Sequence, residues 1–455
     1  MIKKKKNYYS LIALLFILFA FTFQLIRSHR YTNPESVIDS DIRSYYAYLP
    51  ATFVEKDYAM HFLSNPDTEN IWMYWPGKAP NGGFVVKTSM GMAIMYSPFF
   101  FIAHNLAEPL GYKADGFSIP YAFALMFSCA FYVFFAFLLL RAVLLRYYKD
   151  KIVAFTLLVI GLATNLYCYV TLYAPMSHGY SFALFCAFLF LLEKWQEKQK
   201  WPTTIFMGLV IGLITLIRPT NAVIVIILIL FNISTWKDIQ VRVKLFLHNY
   251  WKIIVMVTCT LIVWLPQLLY WKSVTGEWFY YSYGNNERFF FNDPKMLQVL
   301  FSFRNGWLIY TPSMIFAVIG IAMLWKANKK YFYPIIILSI VNLFIVSSWW
   351  CWWYAGAFGM RALIESYAIL AIPLATFFAW IDKQKLFARI SLSILVFAIS
   401  AQSIFHYTQY HYGAIHWGHM TKEAYFDSFW KVRATPKFDT LLFEPDYLAA
   451  QNGNR

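Results

Sequence analysis

Met90-Gly91-Met92-Ala93-Ile94-Met95-Tyr96-Ser97-Pro98-Phe99-Phe100-Phe101-Ile102-Ala103-His104-Asn105-Leu106-Ala107 is the run on which the topology turns. It is apolar enough to tempt a transmembrane reading and barely long enough to cross a bilayer. If it crosses, the next loop, with Arg141, Arg146, Lys149 and Lys151, falls outside, and every later basic loop is inverted too. If it lies along the interface, those loops fall inside, as the positive-inside rule demands. Pro98, His104 and Asn105 also suit an interfacial helix better than a spanning one. The expectation is a juxtamembrane helix over about 90–107.

The rest of the chain is read from that choice. Of 455 residues, 60% are hydrophobic and only 14% are charged. A soluble protein of this length could not cover so much apolar surface, so the repeated long apolar runs read as membrane helices. The net charge of +16 does not point to nucleic acid, because Lys and Arg sit in short clusters between apolar runs. Lys3, Lys4, Lys5 and Lys6 precede the first run, Leu11 to Ile26. No small-residue cleavage site follows it, so it reads as an uncleaved span with a cytoplasmic N-terminus. Further spans are expected at about 119–140, 153–173, 179–192, 203–219, 221–234, 253–271, 306–325, 332–348, 363–380 and 389–405. The predicted fold class is all-α: a polytopic transmembrane helical bundle of about eleven spans. It occupies 1–405, with a large first extracytoplasmic loop over 28–118 and an extracytoplasmic C-terminal segment over 406–455. Five acids fall inside (Asp150, Glu193, Glu197, Asp238 and Asp382), and the other eighteen of 23 fall outside. The five cysteines show no pairing or metal spacing.

On this topology every unusual polar motif reaches the same side. The first loop carries Ile38-Asp39-Ser40-Asp41-Ile42-Arg43-Ser44-Tyr45-Tyr46-Ala47-Tyr48-Leu49-Pro50, and later Lys87. Other outer segments carry Ser177-His178, Arg218-Pro219-Thr220-Asn221, the polar loop with Glu277, Asn285, Asn286, Glu287 and Arg288, and Trp349-Trp350-Cys351-Trp352-Trp353-Tyr354 followed by Gly356, Gly359, Arg361 and Glu365. Each has a plainer reading. Asp39 and Asp41 suit helix caps, Arg218 can snorkel, the tryptophans suit an aromatic belt, and Arg361 and Glu365 have the i, i+4 spacing of a helical ion pair. His178 can be a hydrogen-bonded interfacial residue. His406, His411, His416 and His419 have spacings a metal could use, though aromatic and amide neighbours suit an interfacial segment equally. Asp-x-Asp also occurs as the metal clamp of nucleotide-sugar transferases, but those use a cytosolic donor and this pair is outside. Taken together, Lys87, Arg218 and Arg361 offer positive charge where a lipid phosphate would lie. Asp41 offers a base, and the aromatics offer faces for a sugar or an isoprenoid.

These motifs resemble the GT-C class of membrane glycosyltransferases, which use polyprenyl-phosphate-linked sugars. The resemblance covers nearly the whole chain as architecture. As motif, it rests on Asp41-x-x-x-Tyr45-Tyr46-x-Tyr48-Leu49-Pro50, Lys87 before Gly91, Ser177-His178, Arg218-Pro219-Thr220-Asn221, Gly356-x-x-Gly359-x-Arg361, and the tail residues Ile415-His416-Trp417 and Met420 to Tyr425. It is closest to uncharacterised bacterial members. Protein mannosyltransferases of the class have an adjacent Asp-Glu pair where this chain has Asp39 and Asp41, which leaves the split of roles between the two open. The resemblance implies inverting transfer with Asp41, or else Asp39, as base, and Lys87, Arg218 and Arg361 on the donor phosphate. Tyr45, Tyr46, His178, Asn221, Trp353 and Glu365 are the expected substrate contacts. The implied partners are a polyprenyl-phosphate sugar donor, membrane lipid, and an envelope glycan, lipid or protein acceptor, at a bacterial inner membrane. One branch of the class uses a divalent metal, but no His/Asp/Glu cluster here requires one. Two other readings stay open: a lipid-linked sugar transporter or flippase, disfavoured because the span centres hold almost no ionisable groups, and a polysaccharide ligase or polymerase.

Overall fold

The computed structural model describes residues 8–65, 67, 69–284 and 286–455. Lys3, Lys4, Lys5, Lys6 and Asn285 lie outside the described residues. The chain is a polytopic helical membrane protein, and all eleven apolar runs are helical. Among the described residues, six helices are long and apolar enough to span alone. They are α1 (Tyr8–Ser28), α5 (Ile119–Leu144), α12 (Tyr250–Thr275), α15 (Lys329–Ser348), α16 (Tyr367–Asp382, preceded by a tight turn from Arg361) and α17 (Leu386–His411). The loop between α1 and α5 holds the short helices α2 (Asp41–Tyr46) and α3 (Tyr48–Phe53), a two-strand hairpin (β1 Gly77–Lys78, β2 Phe84–Val85) and α4 (Gly91–Ala107). The remaining runs form α6 (Asp150–Leu162) with α7 (Leu166–Thr171), α8 (Ser177–Glu197), α9 (Trp201–Ile217), α10 (Val225–Leu230) and α14 (Ile315–Ala327). The amphipathic α11 (Trp236–His248) and the short α13 (Met296–Phe301) complete the elements used below.

Ion pairs gather the basic loops at one end of the bundle. Asp150 accepts from the backbone N–H of Tyr9 at 2.8 Å, and Arg141 donates to Ser10 at 2.6 Å, so the start of α1 meets the end of α5. Arg146 and Lys330 both reach the buried Glu193, at 3.3 and 3.2 Å. Lys149 and Lys151 hold Asp382 at 3.0 and 2.7 Å. Several loops thereby share one layer of compensated charge. α1 and α5 run antiparallel, which puts residues 29–118 at the opposite end.

The decisive helix, α4, starts against the end of α9 and finishes at that opposite end, beside the start of α5. Gly91 packs on Ile217, the last residue of α9; a Cβ at position 91 would lie 2.6 Å from the Ile217 nitrogen. At its other end His104 meets the Tyr121 hydroxyl at 2.6 Å, near the start of α5, while the Tyr132 hydroxyl donates to the Met95 carbonyl at 3.0 Å. α4 therefore runs antiparallel along only the first half of α5. Its seventeen residues span about 25 Å, against about 30 Å for a hydrocarbon core. Phe101, Ile102 and Leu106 stay exposed along it.

The Gly91 contact should make any branched side chain there costly. Gly91→Val is expected to lower stability by about 1–3 kcal/mol through overpacking, seen as a lower thermal midpoint in detergent. Gly418→Ala, whose Cβ would meet nothing nearer than 3.6 Å, should leave the midpoint unchanged. Equal midpoints for the two variants would contradict the packing of α4 on α9.

Candidate active site

Four of the singled-out polar motifs converge at the end opposite the basic loops. Asp41 opens α2, and the residue before it, Ser40, is held at φ 51° and ψ −131°, a conformation that L side chains rarely adopt. Such strain costs about 1–3 kcal/mol and persists only where the surroundings fix it. Here it turns Asp41 inward, while Asp39 stays on the outer side, paired with Arg43 at 3.1 Å. Asp41 Oδ2 stands 3.4 Å from an Nη of Arg361. Arg361 is largely buried and Asp41 is 41% exposed, so the arginine is the fixed partner and the carboxylate the accessible one.

The Arg361 loop is shaped from below. Gly359 has φ +61°, and a Cβ there would sit 3.1 Å from Tyr310 Cβ, which explains the Gly-x-Arg spacing. Asn165 donates to the Phe358 carbonyl at 3.2 Å, and the Phe358 N–H donates to the Tyr169 hydroxyl at 3.1 Å. Neither Asn165 nor Tyr169 stands out in the sequence, because each lies inside an apolar run with no motif around it.

Arg361 and Glu365 do not pair with each other as their spacing allows. A tight turn over Arg361–Ser366 replaces the first α-helical turn, and Glu365 instead takes Arg218 at 3.3 Å and His178 at 3.1 Å. With its proton on Nδ1, the buried His178 donates to the same oxygen that accepts from Arg218. Asn221, just after Arg218, is buried and donates its N–H to the Arg218 carbonyl at 2.8 Å. Arg361 Nε, Glu365 Oε2 and Asn221 Nδ2 are buried without a protein partner. Three unspent polar atoms in one cluster suit a ligand that carries both donors and acceptors.

The other expected contacts divide. The Tyr45 hydroxyl lies 3.4 Å from Ser177 and beside Asp41; burial first, and then Asp41, push its pKa up, so it remains a neutral hydroxyl. Tyr46 is buried against Tyr96, Phe100 and Phe117 and donates to the Gly116 carbonyl at 2.5 Å, which makes it a packing residue for the loop. Lys87 is held by Glu287 at 2.7 Å, with the Tyr283 ring 5.1 Å from its ammonium. Trp353 packs on Tyr447 and under Arg304, on the side of the C-terminal segment. Tyr354 also faces the charges, its ring 5.9 Å from the Arg218 guanidinium.

A divalent metal does not fit this donor set. Each carboxylate already faces a cation: Asp41 has Arg361, Glu365 has Arg218, and Asp39 has Arg43. Hard cations need several carboxylates turned on one point. Among the described residues no group of three or more His, Cys, Asp and Glu could hold an ion.

Comparison with known proteins then bears on the fold. No family model and no curated protein matches the chain. Among solved structures, it is similar to the archaeal oligosaccharyltransferase AglB from Archaeoglobus fulgidus in complex with an inhibitory peptide and a dolichol-phosphate, with TM-score 0.51 and 13% identity over 95% of this chain. The chain therefore shares the overall fold of that structure. The apo form of the Archaeoglobus fulgidus oligosaccharyltransferase gives TM-score 0.48 at 15% identity over 97% of this chain. The chain spans 60% of the length of either enzyme. That likeness covers nearly the whole chain, as the expected architecture does.

The two ion pairs should differ in cost when broken. Glu365→Gln leaves the Arg218 charge beside a neutral amide in a buried setting and is expected to cost about 3 kcal/mol. Asp41→Asn leaves the largely buried Arg361 beside a neutral amide, but Asp41 itself is 41% exposed and water reaches it, so the cost should be smaller, about 1–2 kcal/mol. Unfolding of the two variants in the same detergent measures the order, and the reverse order would contradict the described burial.

Proposed function

We propose that the chain moves a sugar or glycan from a polyprenyl-phosphate-linked donor to an envelope acceptor, which is a glycan, a lipid or a protein. The observation that carries this reading is the Asp41–Arg361 pair, set beside Arg218 at the end away from the basic loops of a GT-C bundle. By the positive-inside rule the basic end is cytoplasmic and the Asp41 end extracytoplasmic. In that orientation the N-terminus is inside and the site faces outward, and the resemblance to bacterial GT-C members supports a bacterial inner membrane. The AglB complex contains a dolichol-phosphate and a peptide, which supports a lipid-phosphate donor here and makes a protein one candidate acceptor.

In this mechanism Asp41 takes the proton from an acceptor hydroxyl. The freed oxygen attacks the anomeric carbon from the face opposite the phosphate. The carbon–oxygen bond to the phosphate breaks, configuration inverts, and the polyprenyl phosphate leaves with the bonding pair. Arg361 has five N–H donors in a planar fork, enough to steer Asp41 and hold a phosphate oxygen together. Arg218, kept in place by Glu365 and His178, supplies a second cation, and Lys87 a third when Glu287 releases it. Charge stabilisation of the departing phosphate is the oxyanion-hole type of catalysis. Asp39, tied to Arg43 on the outer side, is the weaker candidate for base. Tyr45 and Tyr354 line the approach.

The test supplies purified protein with a panel of polyprenyl-phosphate hexoses and pentoses and an acceptor extract. Asp41→Asn is expected to lower transfer by about 10²–10⁴-fold, the usual worth of a general base, while Asp39→Asn stays within a few-fold of wild type. Transfer that survives Asp41→Asn would refute the base assignment. A panel that is neither bound nor turned over would refute the glycosyltransferase reading.

A further inference from the structure

At the basic end, far from the candidate active site, α11 leaves an apolar stripe uncovered. Trp236, Val243 and Leu247 follow the helical i, i+7, i+11 spacing, and they are 74, 50 and 67% exposed. Lys237 and Lys244 lie one position further along and are exposed. The helix is nevertheless fixed. Thr235 and Asp238 form a capping box at its start. The buried Arg242 on its opposite side donates to Gln196 at 2.8 Å and to the Phe231 carbonyl. A rigid helix with an exposed apolar stripe beside lysines is built to lie at a membrane surface.

A second feature adjoins it. Between α9, α10 and the first half of α12 runs a cavity of about 410 Å³ whose lining is almost wholly apolar. Ile211, Leu228, Met256 and Val257 are among its walls, and Phe246 of α11 closes it at the basic end. Its rim residues Ile229, Val257 and Leu261 are about half exposed, on the face that lipid would contact. Cations stand at that closed end. The Arg242 guanidinium lies 5.3 Å from the Phe246 ring, and Lys252, one residue before the wall residue Ile253, lies 5.8 Å from the Trp201 ring. The only acid of α11, Asp238, is spent on its cap.

We propose that α11 and this groove form a binding site for an anionic phospholipid of the leaflet at the basic end. One acyl chain occupies the groove, and the headgroup phosphate is held at its closed end by Lys252, with Arg242 as the neighbouring cation. The site is separate from the candidate donor site and does not depend on transfer activity. It gives the bundle a fixed lipid beside α9, the helix that ends at Arg218 and packs on Gly91.

Native mass spectrometry of the full chain, delipidated in detergent and titrated with phosphatidylglycerol, phosphatidylcholine or farnesyl phosphate, tests this. Wild type is expected to retain phosphatidylglycerol at least fivefold better than phosphatidylcholine. Lys252→Glu should abolish that preference, and Val257→Trp should lower retention of both phospholipids by filling the groove. Thermal midpoints of the variants, measured in parallel, show that they remain folded. Equal retention of the two phospholipids, or retention indifferent to either variant, would overturn the proposal. So would displacement of phosphatidylglycerol by farnesyl phosphate, which would assign the groove to an isoprenoid chain.

Discussion

Arg218 and Arg361 stand at the mouth of a membrane bundle, and a guanidinium taken out of water must be compensated locally. That requirement organises the outer end. Arg361 reaches across to Asp41 in the first loop, and Arg218 turns to Glu365 and His178. Four segments distant in sequence are tied together around two cations. The basic end obeys the same rule with Glu193 and Asp382 as anions. There the partners satisfy one another, whereas at the outer end Arg361, Glu365 and Asn221 each keep a buried polar atom unpaired.

The bundle was legible because its signals are additive. Apolar run length and the placement of lysine and arginine both report a cost summed over many residues, so one odd residue does not disturb them. The hardest stretch, Met90 to Ala107, forms one seventeen-residue helix that leans along the first half of α5. Its lean along α5 comes from the Tyr121 and Tyr132 contacts, which no hydropathy argument contains. Gly91 carried a hint, since a glycine at a helix start can mark a close approach, but the partner, Ile217, is more than a hundred residues away.

The site was legible as a set of residues and not as a set of pairs. Asp41, Arg218, His178, Asn221 and Glu365 do gather, because topology alone brings their loops to one end. Which acid holds which base depends on turns a few residues long. The tight turn at Arg361 separates it from Glu365, and the positive φ of Ser40 aims Asp41 inward. Aromatic residues misled most. Trp353 and Tyr46 carry the composition of a ligand wall, yet both pack internally, and Tyr354 and Tyr283 stand nearer the charges. Ring faces serve packing and binding equally well, so sequence cannot divide them.

The account's central claim is that the outer cluster is a phosphate site. Isothermal titration of farnesyl phosphate into the purified chain measures it without needing the sugar or the acceptor. The account predicts binding that weakens at least tenfold in Arg361→Gln and in Arg218→Gln, and that persists in Asp41→Asn. Equal affinity for wild type and both arginine variants would contradict it.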